Sequence, residues 1–396
     1  MPWTRLDLSS DRHRADSRAL VESLLAQAGR FHLQYDIGWI SATIGWDKIL
    51  LFAEGSGRPN DCRGCAVLFR QNRPLKFQLG EITVYRKPLV RWEMWAQPVL
   101  AGLDECAAEQ REMLGAFLSS VHAEMKPDEA INIQGVPTRS VFHDLLVNGP
   151  SARRDFLVLP LGKPFDHQFI ELPETFEAYL KQMSKRSRKS VQYSQRKLRR
   201  DCDDAVTLSC FETVDSIDRF LDDAIAVSKK TYQWTLLGLG LRNREALSKR
   251  LRYAADNGWL RSYLLYCRDA PVAFMLGYQY HGRFYYIDVG YDPDWADWSV
   301  GSVLQMEVLE DLYARPDRPA RFDFSTGYGP HKARFANASQ EETNLLLLPN
   351  TPSNRALVAA FRATDGVSNL AASTLQRLGL KQTLKRAIRR MSREQD

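Results

Sequence analysis

Three strand-like segments follow one another in the second half of this chain, separated only by turns of hairpin length. They are Trp259–Cys267, Val272–Tyr280 and Arg283–Tyr291. A loop then leads to a helix that begins at Ser299, an acceptable N-cap, and a further strand follows at Arg321–Ser325. Because a helix joins the third and fourth strands, those two should be parallel. The segment therefore predicts an antiparallel meander that continues into a parallel pair, in a mixed α/β (α+β) sheet.

A similar order of elements is predicted in the first half of the chain. Strands at Gly64–Arg70 and Leu89–Trp95 precede a helix at Asp104–Met125, and a strand at Ile131–Gln134 follows it. Pro137 and a short helix come next. The second half of the chain likewise has a short helix after the corresponding strand. No repeat of individual residues accompanies this order, so we interpret it as a structural pseudo-repeat. With 396 residues, the chain has the length of two domains.

The net charge of +6 is the sum of two strongly basic segments and an acidic remainder of the chain. Residues 181–200 hold nine lysines and arginines and no acid, and residues 373–396 hold seven against two acids. The rest of the chain must therefore carry −8. Leu180, Met183, Ser187, Val191, Ser194 and Leu198 recur every three or four residues, which predicts a basic helix with one apolar-to-neutral face. Such a helix favours an anionic partner, for which a nucleotide diphosphate, RNA and an acidic glycan are candidates.

Several classes of protein are excluded. The most apolar stretch, residues 37–53, is interrupted by Asp47 and Lys48, so no membrane span is predicted. The first residues lack the apolar core of a signal peptide. Six cysteines do not make a disulfide framework, and Cys62 and Cys65 form a lone C-x-x-C without the further ligands that zinc needs. We expect a cytoplasmic protein with reduced thiols and no metal.

Two loops at one edge of the predicted sheet are candidate binding sites. The helix start at 299–302 offers free backbone N–H groups, and its small residues would let a phosphate approach. The loop 323–332 holds a carboxylate, an imidazole and an ammonium group, and it opens where ligands bind in α/β sheets. A plain N-cap and a solvated connection are the corresponding structural alternatives.

Residues 156 to about 348 resemble the CelD/FemAB-like branch of the GNAT acyltransferases. The resemblance rests on three loose motifs that occur in the family's order, namely Phe176, Tyr179, Leu180, Ser184, Lys185, Arg188, Arg196 and Leu198 in the first, Tyr291, Asp292, Ser299, Gly301 and Leu304 in the second, and Asp323, Phe324, Gly327, Lys332 and Phe335 in the third. Val300 replaces the family's usual proline, and His331 stands where a tyrosine usually precedes the lysine. The resemblance implies a GNAT-like fold, with two tandem GNAT-like domains.

The resemblance also implies a reaction, in which an acyl group passes from a thioester to an amine or hydroxyl. The acceptor would be a small molecule, a sugar or a lipid-linked precursor of the cell envelope or of a polysaccharide. Acyl-CoA is the expected co-substrate, with its pyrophosphate on the helix start, so the expected cofactor-binding residues are Ser299, Val300, Gly301, Ser302, Lys185 and Arg188. Acyl transfer requires a general base and a general acid. The candidate catalytic residues are Asp288, Tyr291, Asp323, His331 and Lys332. Asp288 lies between Ile287 and Val289 in its strand, so its side chain is expected to face the side opposite to theirs.

The resemblance leaves two alternatives open, an aminoacyl-tRNA-dependent transferase and a non-catalytic scaffold at the membrane surface. We expect a degenerate GNAT-like domain at 1–155, the acyltransferase domain at 156–350, and a basic amphipathic tail at 351–396. The tail alternates apolar with basic residues, with Leu375, Leu378, Leu384, Ile388 and Met391 among Arg377, Lys381, Lys385, Arg386, Arg389, Arg390 and Arg393. Such a helix could contact anionic lipid at the inner face of a membrane or pack on its own domain.

Overall fold

The computed structural model describes residues 2–55, 61–80, 82–103, 107–231, 234, 240–325 and 329–377, and only the backbone of residue 330 and of residues 369–377. Two compact units account for these residues. Unit 1 comprises the described parts of 2–30, 46–164 and 343–377, and unit 2 comprises those of 31–45 and 165–342. The predicted domains at 1–155 and 156–350 stay a prediction. The units differ from them because segment 31–45 belongs with unit 2, and segments 156–164 and 343–350 belong with unit 1.

Unit 1 is built on a mixed sheet with the strand order β1-β2-β3-β6-β8-β16, with β7 beside β3, β9 beside β16 and a separate hairpin β4-β5. Its strands are β1 Trp3–Arg5, β2 Ile49–Glu54, β3 Gly64–Asn72, β4 Leu75–Leu79, β5 Ile82–Lys87, β6 Val90–Met94, β7 Val99–Leu100, β8 Glu129–Pro137, β9 Phe156–Pro160 and the last residues of β16 Ala338–Pro349. Its helices are α1 Asp11–Ala28, α3 Ala107–Glu124, α4 Val141–Asn148, α5 Pro150–Asp155 and α12 Pro352–Arg377. The apolar face of α3, with Phe117 and Val121, packs on the sheet beside Trp92 and Ile131.

Unit 2 contains a second mixed sheet with the order β10-β15-β14-β13-β12-β11, and the first residues of β16 pair with β10. Its strands are β10 Phe165–Glu171, β11 Val206–Phe211, β12 Ser262–Cys267, β13 Ala270–Tyr280, β14 Arg283–Tyr291 and β15 Arg321–Asp323. Its helices are α2 Ile37–Ile44, α6 Phe176–Gln182, α7 Lys185–Asp201, α8 Ile217–Lys230, α9 Arg244–Asp256, α10 Val300–Ala314 and α11 Pro330–Ala333. The meander β12-β13-β14 is antiparallel and β14 pairs with β15 in parallel, which confirms both sequence predictions.

The predicted pseudo-repeat is confirmed at the level of elements. In unit 1 the parallel pair β6-β8 is joined through α3 and followed by α4, as β14 and β15 are joined through α10 and followed by α11. The basic segment forms α7, whose buried residues Val191, Ser194 and Leu198 lie on the predicted face. Helix α12 contributes Val358 to the core of unit 1, whereas the predicted tail from residue 378 onward lies outside the described residues.

The prediction that the thiols are reduced is wrong for one pair. Cys202, at the end of α7, and Cys267, at the end of β12, form a disulfide with their Cα atoms 6.0 Å apart. Tertiary packing brings together two cysteines that are 65 residues apart in sequence, and no local spacing reveals such a pair. Cys62 and Cys65 are buried free thiols, and burial raises the pKa of both.

Across the described residues, none of the helices combines the length and the apolar character that a membrane crossing would require. The same residues contain no cluster of three or more His, Cys, Asp and Glu side chains that could bind a metal ion.

Candidate functional site

Strand β14 separates two different environments within unit 2. Phe284, Tyr286 and Val289 face the core that contains helix α10. Tyr285 faces the opposite side of the sheet, where its hydroxyl accepts a hydrogen bond of 3.1 Å from the backbone N–H of Leu33 just before α2. We call these two sides the α10 face and the α2 face.

A β-bulge interrupts this alternation in the middle of β14. Leu276 of β13 pairs with Asp288 while the next residue, Gly277, pairs with Tyr286, so Ile287 is the extra residue. A bulge turns two successive side chains to one side of a strand, and both Ile287 and Asp288 line the same cavity. The expectation that Asp288 faces away from Ile287 is therefore wrong, because it assumed an unbroken period of two.

The cavity on the α2 face has a volume of about 560 Å³ and is lined by residues of α2, α9, the segment before α9, and β14. Burial raises the pKa of Asp288, although the backbone N–H of Val289 donates to its carboxylate at 2.9 Å and opposes that shift. A carboxylate whose pKa is raised by burial is a better proton acceptor, so Asp288 is suited to take a proton from a group bound in this cavity.

Two further polar atoms that line the cavity lack hydrogen-bond partners among the described residues. The Thr43 hydroxyl and the Nε of Arg250 are buried, and neither has a partner there. The Arg250 guanidinium lies over the Trp39 ring at 5.7 Å, which holds its position. Buried polar groups are normally satisfied, so these two atoms favour a polar ligand in the cavity.

The parallel strands β14 and β15 separate immediately beside this cavity. They pair from Arg283 with Arg321 to Tyr285 with Asp323, after which β15 ends and β14 continues to Tyr291. At the point of separation the Ser325 hydroxyl donates to the Tyr286 carbonyl at 2.6 Å. Beyond this contact, the described residues provide no strand that pairs with this edge of β14. The Val289 N–H already donates to Asp288, and the other backbone groups of this edge are available to a ligand.

Asp323 belongs to a buried ionic cluster and not to the open cavity. His167 of β10 binds Asp323 through Nε2 at 2.7 Å and Glu342 through Nδ1 at 2.9 Å. Burial lowers the pKa of His167, but these two hydrogen bonds outweigh it and raise the pKa to about 9. Burial alone would raise the pKa of Asp323, yet the contact with His167 holds it at about 2. At neutral pH the cluster is thus an imidazolium between two carboxylates.

His32 and Arg283 extend the cluster towards α2. Arg283 contacts the His32 ring and lies 3.4 Å from the Asp323 carboxylate. Burial and the neighbouring guanidinium lower the pKa of His32 to about 4, so this ring is neutral at physiological pH. Its Nδ1 lies 2.7 Å from the Gln34 side-chain oxygen, and a neutral ring at this contact donates its Nδ1 proton.

Lys332 and His331 lie on the short helix α11 after the loop of β15. The Lys332 ammonium points back towards the Ser325 carbonyl at 3.5 Å, and burial lowers its pKa to about 8. Partial burial of the His331 ring and the charge of the neighbouring Lys332 lower the pKa of His331. The structure thus brings Lys332 to the end of β15, whereas His331 makes no described hydrogen bond with the other candidates. Gly327 of the third motif lies outside the described residues.

The start of helix α10 lies on the α10 face, where β14 ends. Ser299 occupies the N-cap position as predicted, but in a left-handed conformation (φ 51°) and without a side-chain capping bond. Val300 is buried in the core. A Cβ on Gly301 would stand 3.4 Å from the half-exposed Tyr291 ring. The N–H groups of Ser302 and Val303 donate to the Ser299 carbonyl at 2.8 and 3.1 Å, so those of Val300 and Gly301 are the ones that the first turn offers to an anion beside the aromatic ring.

Arg334 lies beside the start of α10 and adds a guanidinium group there. The sequence did not predict this residue as part of the site. Its guanidinium donates to the Ser302 hydroxyl at 3.3 Å and to the Ser187 carbonyl of α7 at 3.4 Å. Of the two predicted basic ligands, Arg188 donates to the Leu180 carbonyl at 3.1 Å, and Lys185 is exposed at the start of α7. Arg334 lies two residues after Lys332 within the third motif, at the end of α11, and this position was the available signal.

Comparison with known families identifies one part of the chain. Residues 185–333 match the family model described as the acetyltransferase (GNAT) domain. This range covers α7, the meander, α10 and β15, and therefore both faces of β14. No curated protein sequence matches the chain.

Solved structures give a second comparison. FemX shares 12% sequence identity at a TM-score of 0.58, with 90% of this chain and 100% of the FemX chain covered. L-PGS from Bacillus licheniformis shares 12% identity at 0.48, with coverages of 86% and 95%. A tandem GNAT protein from the clavulanic acid biosynthesis pathway shares 9% identity at 0.48, with coverages of 88% and 98%. The likeness to FemX shows a common fold, and with the family match it confirms the predicted GNAT-like architecture.

Proposed function

We propose that this chain, a transferase with a GNAT domain at residues 185–333, passes an acyl group from a thioester of the acyl-CoA type to an amine. One observation carries the proposal. The bulge of β14 holds Asp288 in a cavity on the α2 face, just where β14 loses its neighbouring strand, while the free helix start of α10 lies on the other face. A donor on one face and an acceptor on the other would meet at this edge.

The residues on the α10 face suit an anionic donor. The first turn of α10 offers backbone N–H groups, and Arg334 and Ser302 add a guanidinium and a hydroxyl beside them. The absence of a side chain at Gly301 leaves room in front of the Tyr291 ring. These groups would hold a pyrophosphate, and the unpaired edge of β14 would bind an extended amide-bearing arm as an added strand does.

The residues on the α2 face suit the acceptor. Asp288 would attract the ammonium form of an amine and accept its proton, which frees the nitrogen lone pair for attack. A bound thioester supplies the activated acyl group; the new bond is C–N, the bond that breaks is C–S, and the thiol leaves. Lys332, with a pKa of about 8, is partly protonated at neutral pH and provides a cation near the end of β15.

The cavity also indicates what else the acceptor carries. Arg242 and Arg250 both line it, with the Thr43 hydroxyl. Guanidinium groups recognise carboxylates and phosphates through charge-assisted hydrogen bonds. We therefore propose an acceptor that bears an anionic group beside its amine.

A thioester donor is favoured over an aminoacyl-tRNA because much of the basic helix is used inside unit 2. Arg199 binds Glu307, Lys197 donates to the Asp297 carbonyl, and Arg188 binds the end of α6. Arg200 pairs with Asp201. These contacts reduce the cationic surface that RNA binding needs.

Calorimetric titration of acetyl-CoA and longer acyl-CoA thioesters tests the donor. Wild-type protein should bind, and Arg334→Met should weaken the affinity about 10- to 100-fold, the range expected for a lost charge-assisted hydrogen bond. Arg139→Met is the matched control, because Arg139 is exposed in the turn after β8 of unit 1. Absence of binding by the wild type, or equal weakening by both variants, would reject a CoA-type donor at this site.

The acceptor is tested separately with a panel of amines under saturating donor. Amines with a neighbouring carboxylate or phosphate should react faster than their uncharged analogues, and Arg250→Met should abolish that preference. Equal rates for the charged and uncharged amines would reject the anionic acceptor and leave the donor result standing.

A further inference from the structure

Helix α7 of unit 2 carries a row of cations on the side that faces away from its core. Val191, Ser194 and Leu198 are buried on one side of the helix. The residues on the opposite side lie within an arc of about 100° at 3.6 residues per turn, and they are Lys185, Arg186, Lys189, Tyr193, Arg196 and Arg200. All of them are exposed. We call this surface the α7 stripe.

Most of the charge on the α7 stripe is not neutralised within unit 2. Arg200 pairs with Asp201. The other cations of the stripe form no ion pair with the described residues, and these are Lys185, Arg186, Lys189 and Arg196. The first turn of α7 contains no acidic residue, although the helix dipole disfavours cations at that end. Lys185 and Lys189 also repel each other across one turn, and an anionic surface against the stripe would offset both costs.

The α7 stripe begins beside the proposed donor site. The Arg334 guanidinium donates to the Ser187 carbonyl in the first turn of α7 and to the Ser302 hydroxyl in the first turn of α10. From Ser187 the stripe continues to Arg196, about 14 Å along the helix at 1.5 Å per residue. A pyrophosphate at the start of α10 would therefore leave the far cations without an anion. The stripe favours a larger anionic partner that is in place when the donor is bound.

The size and composition of the α7 stripe favour an acidic protein helix over RNA or a membrane. The stripe is about 17 Å long from Lys185 to Arg196. It is one helix wide, because Arg199 binds Glu307 and Lys197 donates to the Asp297 carbonyl at its margin. RNA needs a broader cationic surface, and the stripe has no aliphatic side chain to enter a bilayer. Cations three and four residues apart instead complement the carboxylates of a helix packed alongside.

We propose that the α7 stripe docks an acidic carrier protein, which delivers the acyl group as a thioester of its prosthetic arm. This inference rests on the proposed transferase function and names the form in which the donor arrives. The phosphate of the arm would lie at Arg334 and the start of α10, and its amide-bearing part along the open edge of β14. The C–N bond to the acceptor amine forms and the C–S bond breaks. The proton that the amine loses ends on the thiol of the arm, which leaves with the carrier.

Steady-state kinetics with two donors test this proposal, namely the acetylated acyl carrier protein of fatty acid synthesis and acetyl-CoA. Arg186→Gln/Lys189→Gln/Arg196→Gln should raise the KM for the carrier-borne thioester about tenfold or more, a few-fold for each charge, and leave the KM for acetyl-CoA unchanged. The matched control is Lys76→Gln/Arg86→Gln/Lys87→Gln, which removes three exposed cations from the β4-β5 hairpin of unit 1. The control should behave like the wild type with both donors.

Calorimetric titration with the same carrier protein measures docking separately from the reaction. The wild type and the hairpin control should bind the carrier, and the stripe variant should bind it about tenfold more weakly. Absence of carrier binding by the wild type, or equal changes in the stripe variant and the control, would overturn the proposal. The same holds if RNA or phosphatidylglycerol vesicles, and not the carrier, bind in a stripe-dependent way. Stripe-dependent carrier binding without transfer from either donor would instead reject the proposed function and leave the docking surface standing.

Discussion

The two units carry the same order of strand, helix and parallel strand, but their parallel pairs differ. In unit 1, β6 and β8 pair over five consecutive residues, from Val90 with Glu129 to Met94 with Ile133, which is the full length of β6. In unit 2, β14 and β15 pair over three residues only, and β14 then continues for six more. The strands β6 and β8 thus stay paired to the end of β6. The strands β14 and β15 separate early and leave a cleft, with the bulge of β14 beside it.

The first strand of each parallel pair carries an acidic side chain, and the surroundings of these two side chains also differ. Glu93 of β6 is fully buried, and its carboxylate accepts from Asn132 at 2.5 Å and Gln134 at 3.1 Å on the neighbouring strand. Asp288 of β14 accepts a hydrogen bond from its own strand and lines an open cavity. The difference indicates that the repeated fold supplies a scaffold in both units, and that the early end of β15 leaves an open edge beside a cavity in unit 2, where we propose the reaction site.

Exchanging each acid for its amide should separate these two roles most clearly. Asp288→Asn keeps the shape of the side chain but removes the base, so we expect kcat to fall about 10²- to 10⁴-fold with donor binding unchanged. Glu93→Gln should leave kcat unchanged and lower the free energy of unfolding by about 1–3 kcal/mol, because a buried network loses an acceptor. Steady-state kinetics and denaturant titration measure both effects.

Asp269→Asn controls for the general effect of removing a carboxylate, since Asp269 is exposed in the turn between β12 and β13. A loss of kcat in Glu93→Gln as large as in Asp288→Asn would contradict the assignment of the chemistry to unit 2. An unchanged kcat in Asp288→Asn would remove Asp288 as the base.

The ionic cluster around His167 should make the stability of unit 2 depend on pH. The folded-state pKa of His167 is raised from 6.5 to about 9. Its contribution is therefore complete below pH 6.5 and is lost as the pH rises through 9, by at most about 3 kcal/mol. The pKa of Asp323 is lowered from 3.8 to about 2, so its contribution is present above pH 3.8 and is lost as the pH falls through 2.

Denaturant unfolding between pH 6 and pH 9.5 tests this expectation. The stability of the wild type should decline over this range, and His167→Asn should be less stable at pH 6 and lack most of the decline. His281→Asn is the control, because His281 is exposed in a hairpin turn whose left-handed conformation asparagine accepts. A parallel decline in wild type and His167→Asn would show that His167 is not the titrating group.

The elements of both units could be predicted from local pattern, and the details of the site could not. Hairpin-length turns located the meander of unit 2, and a period of three to four located the buried face of α7. The same rules misplaced Asp288, because a bulge adds one residue to β14 and no signal in the sequence of β14 alone marks Ile287 as the extra one. Alternation is reliable only while the register of the ladder is unbroken.

The buried cluster was missed because its members are far apart in sequence. His32, His167 and Glu342 come from three separate segments, and only the folded sheet of unit 2 brings them to Asp323. The sequence identified Asp323 by its motif and predicted a catalytic role. That role stays a prediction. In the structure the ion pair of Asp323 with His167 links β15 with β10, at the point where β14 and β15 separate.

The smallest expected difference concerns the two crossover helices, each of which contains one glycine that can be exchanged for alanine. Gly115 of α3 has open space at its Cβ position, whereas a Cβ at Gly301 of α10 meets the Tyr291 ring at the ordinary contact distance of 3.4 Å. Both variants should fold and gain up to about 1 kcal/mol of helix stability. Only Gly301→Ala adds a methyl group where the donor phosphates would approach, so only its KM for the thioester should rise, by roughly three- to tenfold, the effect of about 1 kcal/mol of lost binding. Equal KM values in the two variants would mean that the first turn of α10 does not hold the donor, and the helix starts of the two units would then be functionally alike.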